Sequence, residues 1–220
     1  MKPIVKTIAA LDDDADGISV SQTPAAGGVQ DLTITGALAT GGVATMAAAQ
    51  IITATWAGAD GARTLTVTYK DADGIETTGT IGGASSTTSQ STFYAKSVSN
   101  ISIDDNSAGA FTVGVLDANG AVSPTVRVNS GQTSSFKVGL FVELSVGASL
   151  VYTVEHSPDW PENGDYTAGY SNAANWYSTD GLSALTATNE SNIVIPVECV
   201  RLTLTSQVSG TAKLTVSQAY

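Results

Sequence analysis

The feature that most constrains this chain is an alternation of apolar and polar residues with a period of two. Leu65, Val67 and Tyr69 alternate with threonines. The same spacing recurs at Phe111, Val113 and Val115, at Phe136, Val138 and Leu140, at Leu150, Tyr152 and Val154, at Leu202 and Leu204, and at Leu214 and Val216. Successive side chains of a strand point to opposite faces. The pattern therefore predicts antiparallel sheets with one face in a core and the other in water.

The segments between these runs carry turn signals. Residues 71–74 and 117–120 end in Asp-Gly and Asn-Gly, and residues 207–210 end in Ser-Gly. Glycine supplies the positive φ that tight hairpin turns need. The alanine-rich window 42–50 has no long apolar stripe, so we predict strand and loop there. The chain is thus expected to be all-β.

The charge balance excludes several partners. Charged residues make up 13% of the chain and the formal net charge is −11, whereas about 25% charged residues is usual. The nine Lys and Arg residues are scattered, and binding to nucleic acid requires clustered cations. We expect neither nucleic acid nor an anionic membrane surface as a partner.

Cysteine and histidine usage gives no support to an enzyme. Cys199 is the single cysteine, so no intrachain disulfide can form, and it lies in an apolar run typical of a buried strand. A Ser-His-Asp triad would need His156, the single histidine, but no Gly-x-Ser-x-Gly elbow is present. No apolar signal segment precedes Asp12 and no stretch reaches membrane-spanning length. We predict a non-enzymatic protein that folds in a reducing compartment.

Composition and strand spacing divide the chain into three parts. Residues 1–28 combine an acidic run with Ala-Ala-Gly-Gly and are predicted to be an N-terminal arm that reaches a neighbouring subunit. Residues 29–121 and 122–220 are strand-rich blocks, with Pro124 near their boundary. Each block has the size of a small antiparallel β-sandwich, immunoglobulin-like or jelly-roll-like. We therefore predict two sandwich domains and an arm.

The nearest approach to a metal motif is Asp12-x-Asp14-x-Asp16-Gly17, which matches the start of a calcium loop. The pattern then fails, because Thr23 stands where a bidentate Glu is required. The alternative is a solvated acidic turn. The acidic turns at 71–76 and 104–106 match the motif less well. We predict no metal and no cofactor, with these three aspartates as the residues closest to a site.

A second candidate surface is the long segment 156–177, which is rich in acids and aromatic residues. Aromatic rings stack on sugar rings while Asn and Asp bind hydroxyls, so a glycan-binding loop is one interpretation. The other is an inter-strand loop with its own small aromatic core. Long loops in compact domains are often functional. The candidate contact residues are Trp160, Tyr166, Tyr170, Trp176 and Tyr177.

Several phrases of the chain resemble the β-modules of tailed-bacteriophage virion proteins. In the first block the phrases are LTITGALATGGVAT (32–45), IITATWAGAD (51–60), RTLTVTYKDADG (63–74), FYAKSVSNIS (93–102) and AGAFTVGV (108–115). In the second block residues 200–204 and 209–218 resemble the closing hairpin of phage structural proteins. The resemblance covers about two thirds of the chain and is carried by Thr-, Gly- and Val-rich phrases. It implies a β-sandwich module without catalytic residues.

That resemblance implies a capsid decoration (cement) protein, located in the virion and assembled in the host cytoplasm. Its expected partners are the major capsid protein and further copies of itself. Two alternatives stay open from the sequence. One is a tail, connector or head-fibre component. The other is a carbohydrate-binding module that attaches to a host surface glycan.

Overall fold

The structure is a computed structural model that describes residues 3–9, 11–116, 120–128, 136–158 and 175–218. Within these ranges every regular element is a β-strand, so the prediction of an all-β chain is confirmed. The described residues include no helix that is long and apolar enough to cross a membrane.

Seventeen strands follow one another along the described chain. The first nine are β1 (Ile4–Ile8), β2 (Asp14–Gln22), β3 (Gln30–Asp31), β4 (Ala39–Thr40), β5 (Val43–Trp56), β6 (Thr64–Lys70), β7 (Glu76–Gly82), β8 (Thr88–Ile103) and β9 (Phe111–Val115). The others are β10 (Ala121–Val122), β11 (Val126–Arg127), β12 (Val138–Leu144), β13 (Ser149–Ser157), β14 (Tyr177–Ser178), β15 (Asn189–Ile193), β16 (Cys199–Ser209) and β17 (Ala212–Gln218).

The strands form two antiparallel sheets. The small sheet has four strands in the order β1-β17-β12-β15. The large sheet has thirteen, with a main path β14-β13-β16-β10-β5-β8-β6-β7 from which the other strands branch. The hairpin turns agree with their sequence signals, because Gly74 and Gly210 both have positive φ.

Two separate apolar cores lie against these sheets. The first contains residues from β2 and from β5 to β9, including the stacked rings of Trp56 and Phe111, whose centroids are 4.4 Å apart. Tyr69 and Phe93 stack at 4.2 Å, and Gly79 gives them room, because a Cβ there would lie 2.4 Å from the Phe93 ring. The second core is formed by β12, β13, β16 and β17, with further residues from neighbouring segments. The apolar members of the alternating runs are the residues buried in these cores.

The junction between the two cores is hydrogen-bonded on both sides. Ala121 of β10 pairs with Gln50 on β5 and with Leu204 on β16, so the large sheet is continuous through it. Asp73, in the turn after β6, accepts hydrogen bonds from the Thr125 amide and hydroxyl, both at 2.7 Å. The predicted limit at residue 121 therefore falls inside a strand that joins the two blocks.

Within the segment 1–28, predicted to be an N-terminal arm, residues 4–8 and 14–22 form β1 and β2. β1 pairs with β17 over its whole length, and β2 pairs with β9. Ile8 is buried in the second core and Ile18 in the first. Their burial provides the free energy that orders this segment, which an acidic run alone would not.

We predict that Ile8→Ala lowers the free energy of unfolding by about 3 kcal/mol, because it removes a buried side chain and leaves a cavity. Val5→Ala, on the exposed face of the same strand, should change it by less than about 0.5 kcal/mol. Urea denaturation of both variants measures this difference. Equal effects would contradict the packing of β1 against the second core.

Candidate functional site

The structure describes only part of the predicted aromatic surface. Trp160, Tyr166 and Tyr170 lie outside the described residues. Trp176 is half-buried and Tyr177, which begins β14, is exposed. β14 pairs with the end of β13, where Tyr177 lies opposite His156. The candidate site therefore includes β13 and β16, the strand that pairs with the other edge of β13.

Trp176 belongs to a polar cluster that the large sheet brings together from distant parts of the chain. Arg201 on β16 lies opposite Glu155 on β13, and their Nε and Oε2 atoms are 2.7 Å apart. Thr203 donates its hydroxyl to the same carboxylate oxygen at 2.8 Å. The Arg201 guanidinium lies 4.1 Å from the centre of the Trp176 ring and 5.9 Å from that of Tyr94. We call these five residues the Arg201 cluster.

The charged groups of the Arg201 cluster are arranged to stabilise the fold rather than to transfer a proton. Burial raises the pKa of the Tyr94 phenol, Arg201 opposes this and Glu155 adds to it. Tyr94 is therefore protonated at neutral pH. The Arg201 charge is neutralised by Glu155, and its remaining face packs on Trp176 as a cation–π contact. The cluster therefore holds the half-buried Trp176 ring against the sheet.

His156 follows Glu155 on β13, and its side chain points to the opposite face of the sheet. Its Nδ1 is 3.1 Å from the hydroxyl of the buried Thr179, and its ring centroid is 6.2 Å from that of Tyr177. Burial lowers the pKa of the imidazole below 6.5. The hydroxyl that meets this histidine is buried, so the geometry does not present a nucleophile to a substrate.

The aspartates of the calcium-like motif do not converge. The carboxylate of Asp12 accepts a hydrogen bond from the Ala47 amide at 2.6 Å, and its backbone pairs with the Gln50 side chain. Asp14 accepts from the Asp16 amide, and the hydrogen bond between their side chains raises the pKa of Asp16. The structure thus separates Asp12, which ties the entry of β2 to β5, from the other two.

The weaker acidic turns also have structural hydrogen bonds. Asp71 Oδ1 accepts from the amides of Asp73 and Ile75 and closes the hairpin between β6 and β7. Asp105 accepts from the amides of Asn106 and Gly28, and these bonds together with Arg63 lower its pKa. No group of three His, Cys, Asp or Glu residues suited to a metal ion occurs in the part of the chain that the structure describes.

Sequence reasoning missed most of the Arg201 cluster. The alternation of β16 does place Arg201 and Thr203 on the face opposite Leu202, which is a usable signal. The partners of Arg201 could not be predicted, because Glu155 is 46 residues away and Tyr94 belongs to the other block. Of the predicted aromatic residues, Trp176 belongs to the cluster and Tyr177 follows it in the chain.

Comparisons with known proteins identify no family. No protein-family model matches the chain, and no curated protein matches it. Among solved structures, an allantoicase from Saccharomyces cerevisiae is 10% identical over 80% of this chain and 76% of its own, with a TM-score of 0.23. Another allantoicase structure is 13% identical over 79% and 75%, with a TM-score of 0.24. Likeness at this level establishes neither a common fold nor a common activity.

The contribution of the Arg201 cluster to stability can be tested by comparing its largely buried ion pair with an exposed one. We predict that Arg201→Ala lowers the free energy of unfolding by about 3 kcal/mol, because it leaves the Glu155 carboxylate without its partner in a largely buried position. Lys213→Ala breaks the exposed pair with Glu143 and should cost less than about 1 kcal/mol. Chemical denaturation measures both. Similar losses would show that Glu155 is well solvated.

His156 should make stability depend on pH between neutral and mildly acidic values. Its folded-state pKa lies below 6.5, so the unfolded chain binds a proton first as the pH falls. Stability should therefore be full above pH 6.5 and decline as the pH falls toward the folded-state pKa. NMR titration of the single imidazole measures that pKa. His156→Gln should remove this part of the decline, and an unchanged profile would contradict the assignment.

Proposed function

We propose that this chain is a non-enzymatic structural protein of a bacteriophage virion, specifically a capsid decoration (cement) protein. It binds the outer head shell and bridges neighbouring capsid subunits. Its partners are the major capsid protein and other copies of the chain. The observation that supports this proposal best is the distribution of exposed aliphatic side chains at the two ends of the small sheet.

At one end, the turns that connect β12 to β13 and β16 to β17 lie together, and an exposed valine lies within the first and just before the second. Val146 is fully exposed in the turn between β12 and β13, and Val208 is 81% exposed near the end of β16. The turns are joined by hydrogen bonds from the Ser145 amide to the Thr211 carbonyl and from the Ser209 hydroxyl to the Gly147 carbonyl. We call this pair the valine tip. A turn position such as that of Val146 usually carries Gly, Asn, Asp or Ser.

At the other end, β15 runs directly into an exposed aliphatic pair. Val194 is 68% and Ile195 57% exposed, and Pro196 follows them. Ile193, just before them, pairs with Val138 at the start of β12. β12 has seven residues, so the two apolar ends are roughly 20 Å apart at about 3.4 Å per residue. Two separated contact points on one rigid sheet suit a molecule that bridges neighbours.

The binding free energy of each contact is small, but many such contacts on one shell together give tight binding. Full burial of an exposed valine is worth about 1.5 kcal/mol, so one pair gives weak attachment. Many copies on a shell, each held at two points, bind far more tightly than a single contact would. The other component of attachment is pairing at β1 or β15, the outer strands of the small sheet, with a strand of a neighbour.

The domain arrangement belongs to the same proposal. We assign the two cores to two antiparallel sandwiches, immunoglobulin-like or jelly-roll-like, formed mainly by residues 29–121 and 122–220. Two distinct apolar clusters support this assignment. The shared β10 and the Asp73–Thr125 hydrogen bonds give the pair a stiff connection.

We predict that Val146→Ser with Val208→Ser weakens binding to purified phage shells, and that Val194→Ser with Ile195→Ser does the same. Each pair should lower affinity by about a hundredfold, because two apolar contacts of about 1.5 kcal/mol each are lost. Val29→Ser, equally exposed but on the first block, is the control. Sedimentation of shells with labelled protein measures the bound fraction. Unchanged saturation by both double variants would refute attachment through these ends.

Copy number separates the shell from the alternative locations. A decoration protein is present in hundreds of copies per particle, whereas a tail, connector or head-fibre component is present in roughly a dozen or fewer, as the symmetry of those assemblies requires. Quantitative mass spectrometry of purified virions counts them. Absence from virions would overturn the structural proposal as a whole.

A further inference from the structure

The outer face of the small sheet has a row of side chains that belong to neither apolar core of the described residues. Val5 on β1 lies opposite Thr215 on β17, Thr215 opposite Phe141 on β12, and Phe141 opposite Glu190 on β15. Phe141 is 40% exposed. The inward neighbours of Phe141 along its strand, Leu140 and Val142, are buried in the second core, so the ring stands on the solvent side.

The next row contains a gap. Gly139 lies between Ser217 on β17 and Asn192 on β15. Since Gly139 has no side chain, a groove of about 280 Å³ opens over it, and its lining includes Phe141, Glu190, Asn192, Thr215 and Ser217. A Cβ at this position would lie 2.8 Å from the Ser217 hydroxyl oxygen. The glycine is therefore what keeps the groove open.

The chemistry of the lining selects the class of ligand. One wall is an exposed aromatic ring, which offers an apolar face. The others carry hydroxyl, amide and carboxylate groups from Ser217, Thr215, Asn192 and Glu190, and no cation occurs among the described residues of the lining. An anionic ligand would meet only Glu190 as a charge, and a purely apolar one would leave the polar groups without partners. A ligand with one apolar face and a rim of hydroxyls satisfies both walls.

We propose that this groove binds one ring of an uncharged saccharide. The C–H face of the sugar lies against Phe141, and its hydroxyls exchange hydrogen bonds with Asn192, Ser217 and Glu190. The volume is just below the range of about 300–1,000 Å³ for drug-sized ligands, which fits a single ring of a longer glycan. The site differs from the predicted aromatic surface at 156–177, and it goes beyond attachment to the shell.

The groove and the two apolar ends are close to the same sheet but are formed by different residues. Saccharide binding can be measured on the isolated full-length protein, whereas bridging is measured on shells. Failure of either experiment therefore leaves the other result intact. A decoration protein with such a groove would also carry a host-surface contact on the outside of the particle.

The test is NMR titration of the labelled full-length chain with methyl glycosides of glucose, galactose, mannose, rhamnose and N-acetylglucosamine. At least one of them should shift the backbone amides of Phe141, Asn192 and Thr215. Phe141→Ala should weaken that glycoside by about tenfold or more, equivalent to about 1.4 kcal/mol. Gly139→Val, which places three carbon atoms in the groove beside Ser217, should abolish the shifts.

Two controls make the result decisive. Tyr177→Ala removes the exposed tyrosine of the other candidate surface and should leave the affinity unchanged. Amide spectra of the unliganded variants report whether the small sheet is intact. The proposal is overturned if no glycoside of the panel shifts the groove amides. It is also overturned if Tyr177→Ala removes binding while Phe141→Ala and Gly139→Val keep it.

Discussion

The structure depends on β16, because both faces of this strand are buried from Cys199 to Leu204. One face is apolar and closes the second core. The other face carries Arg201 and Thr203, and a buried cation destabilises a fold severely unless it is paired. Glu155 on β13 meets both groups with one carboxylate oxygen. This pairing allows β16 to lie inside the large sheet, with β13 on one side and β10 and β11 on the other.

The requirement that buried polar groups be paired also determines which groups remain available to bind a partner. Polar groups near the interior are used to hold strands together, as Asp73 holds Thr125 and Asp12 holds Ala47. Lys96 donates to the carbonyls of Met46 and Ala47, and burial lowers its pKa. Such groups are committed to the fold and are poor candidates for recognition. Partners are therefore expected at surface positions where the pattern of an ordinary soluble sheet is broken.

The sequence was informative wherever a strand alternates locally and its turn is marked. β6 is the clearest case, since Leu65, Val67 and Tyr69 are buried and the next turn closes on Asp71 as its Asp-Gly signal indicates. β1 was missed because it is a short strand whose partner, β17, lies about 200 residues further along the chain. The aspartate spacing resembled a calcium loop, but strand geometry directs Asp12 to a different partner from Asp14. Local patterns give faces and turns, whereas pairings between distant strands decide which polar groups meet.

The small sheet shows how folding and recognition can be divided within one strand. On β12, Val138, Leu140 and Val142 face the second core, while Gly139 and Phe141 alternate with them on the solvent side. An outer face normally carries polar side chains that cover the strands. Here a glycine opens a groove beside an aromatic ring, and at the end of the sheet one exposed valine lies in a turn and another at a strand end. Because the period of two separates these residues from the core, the outer set can change with its partners while the inner set preserves the fold. That separation is why the groove and the apolar ends, rather than the Arg201 cluster, are the surfaces on which binding is expected to depend.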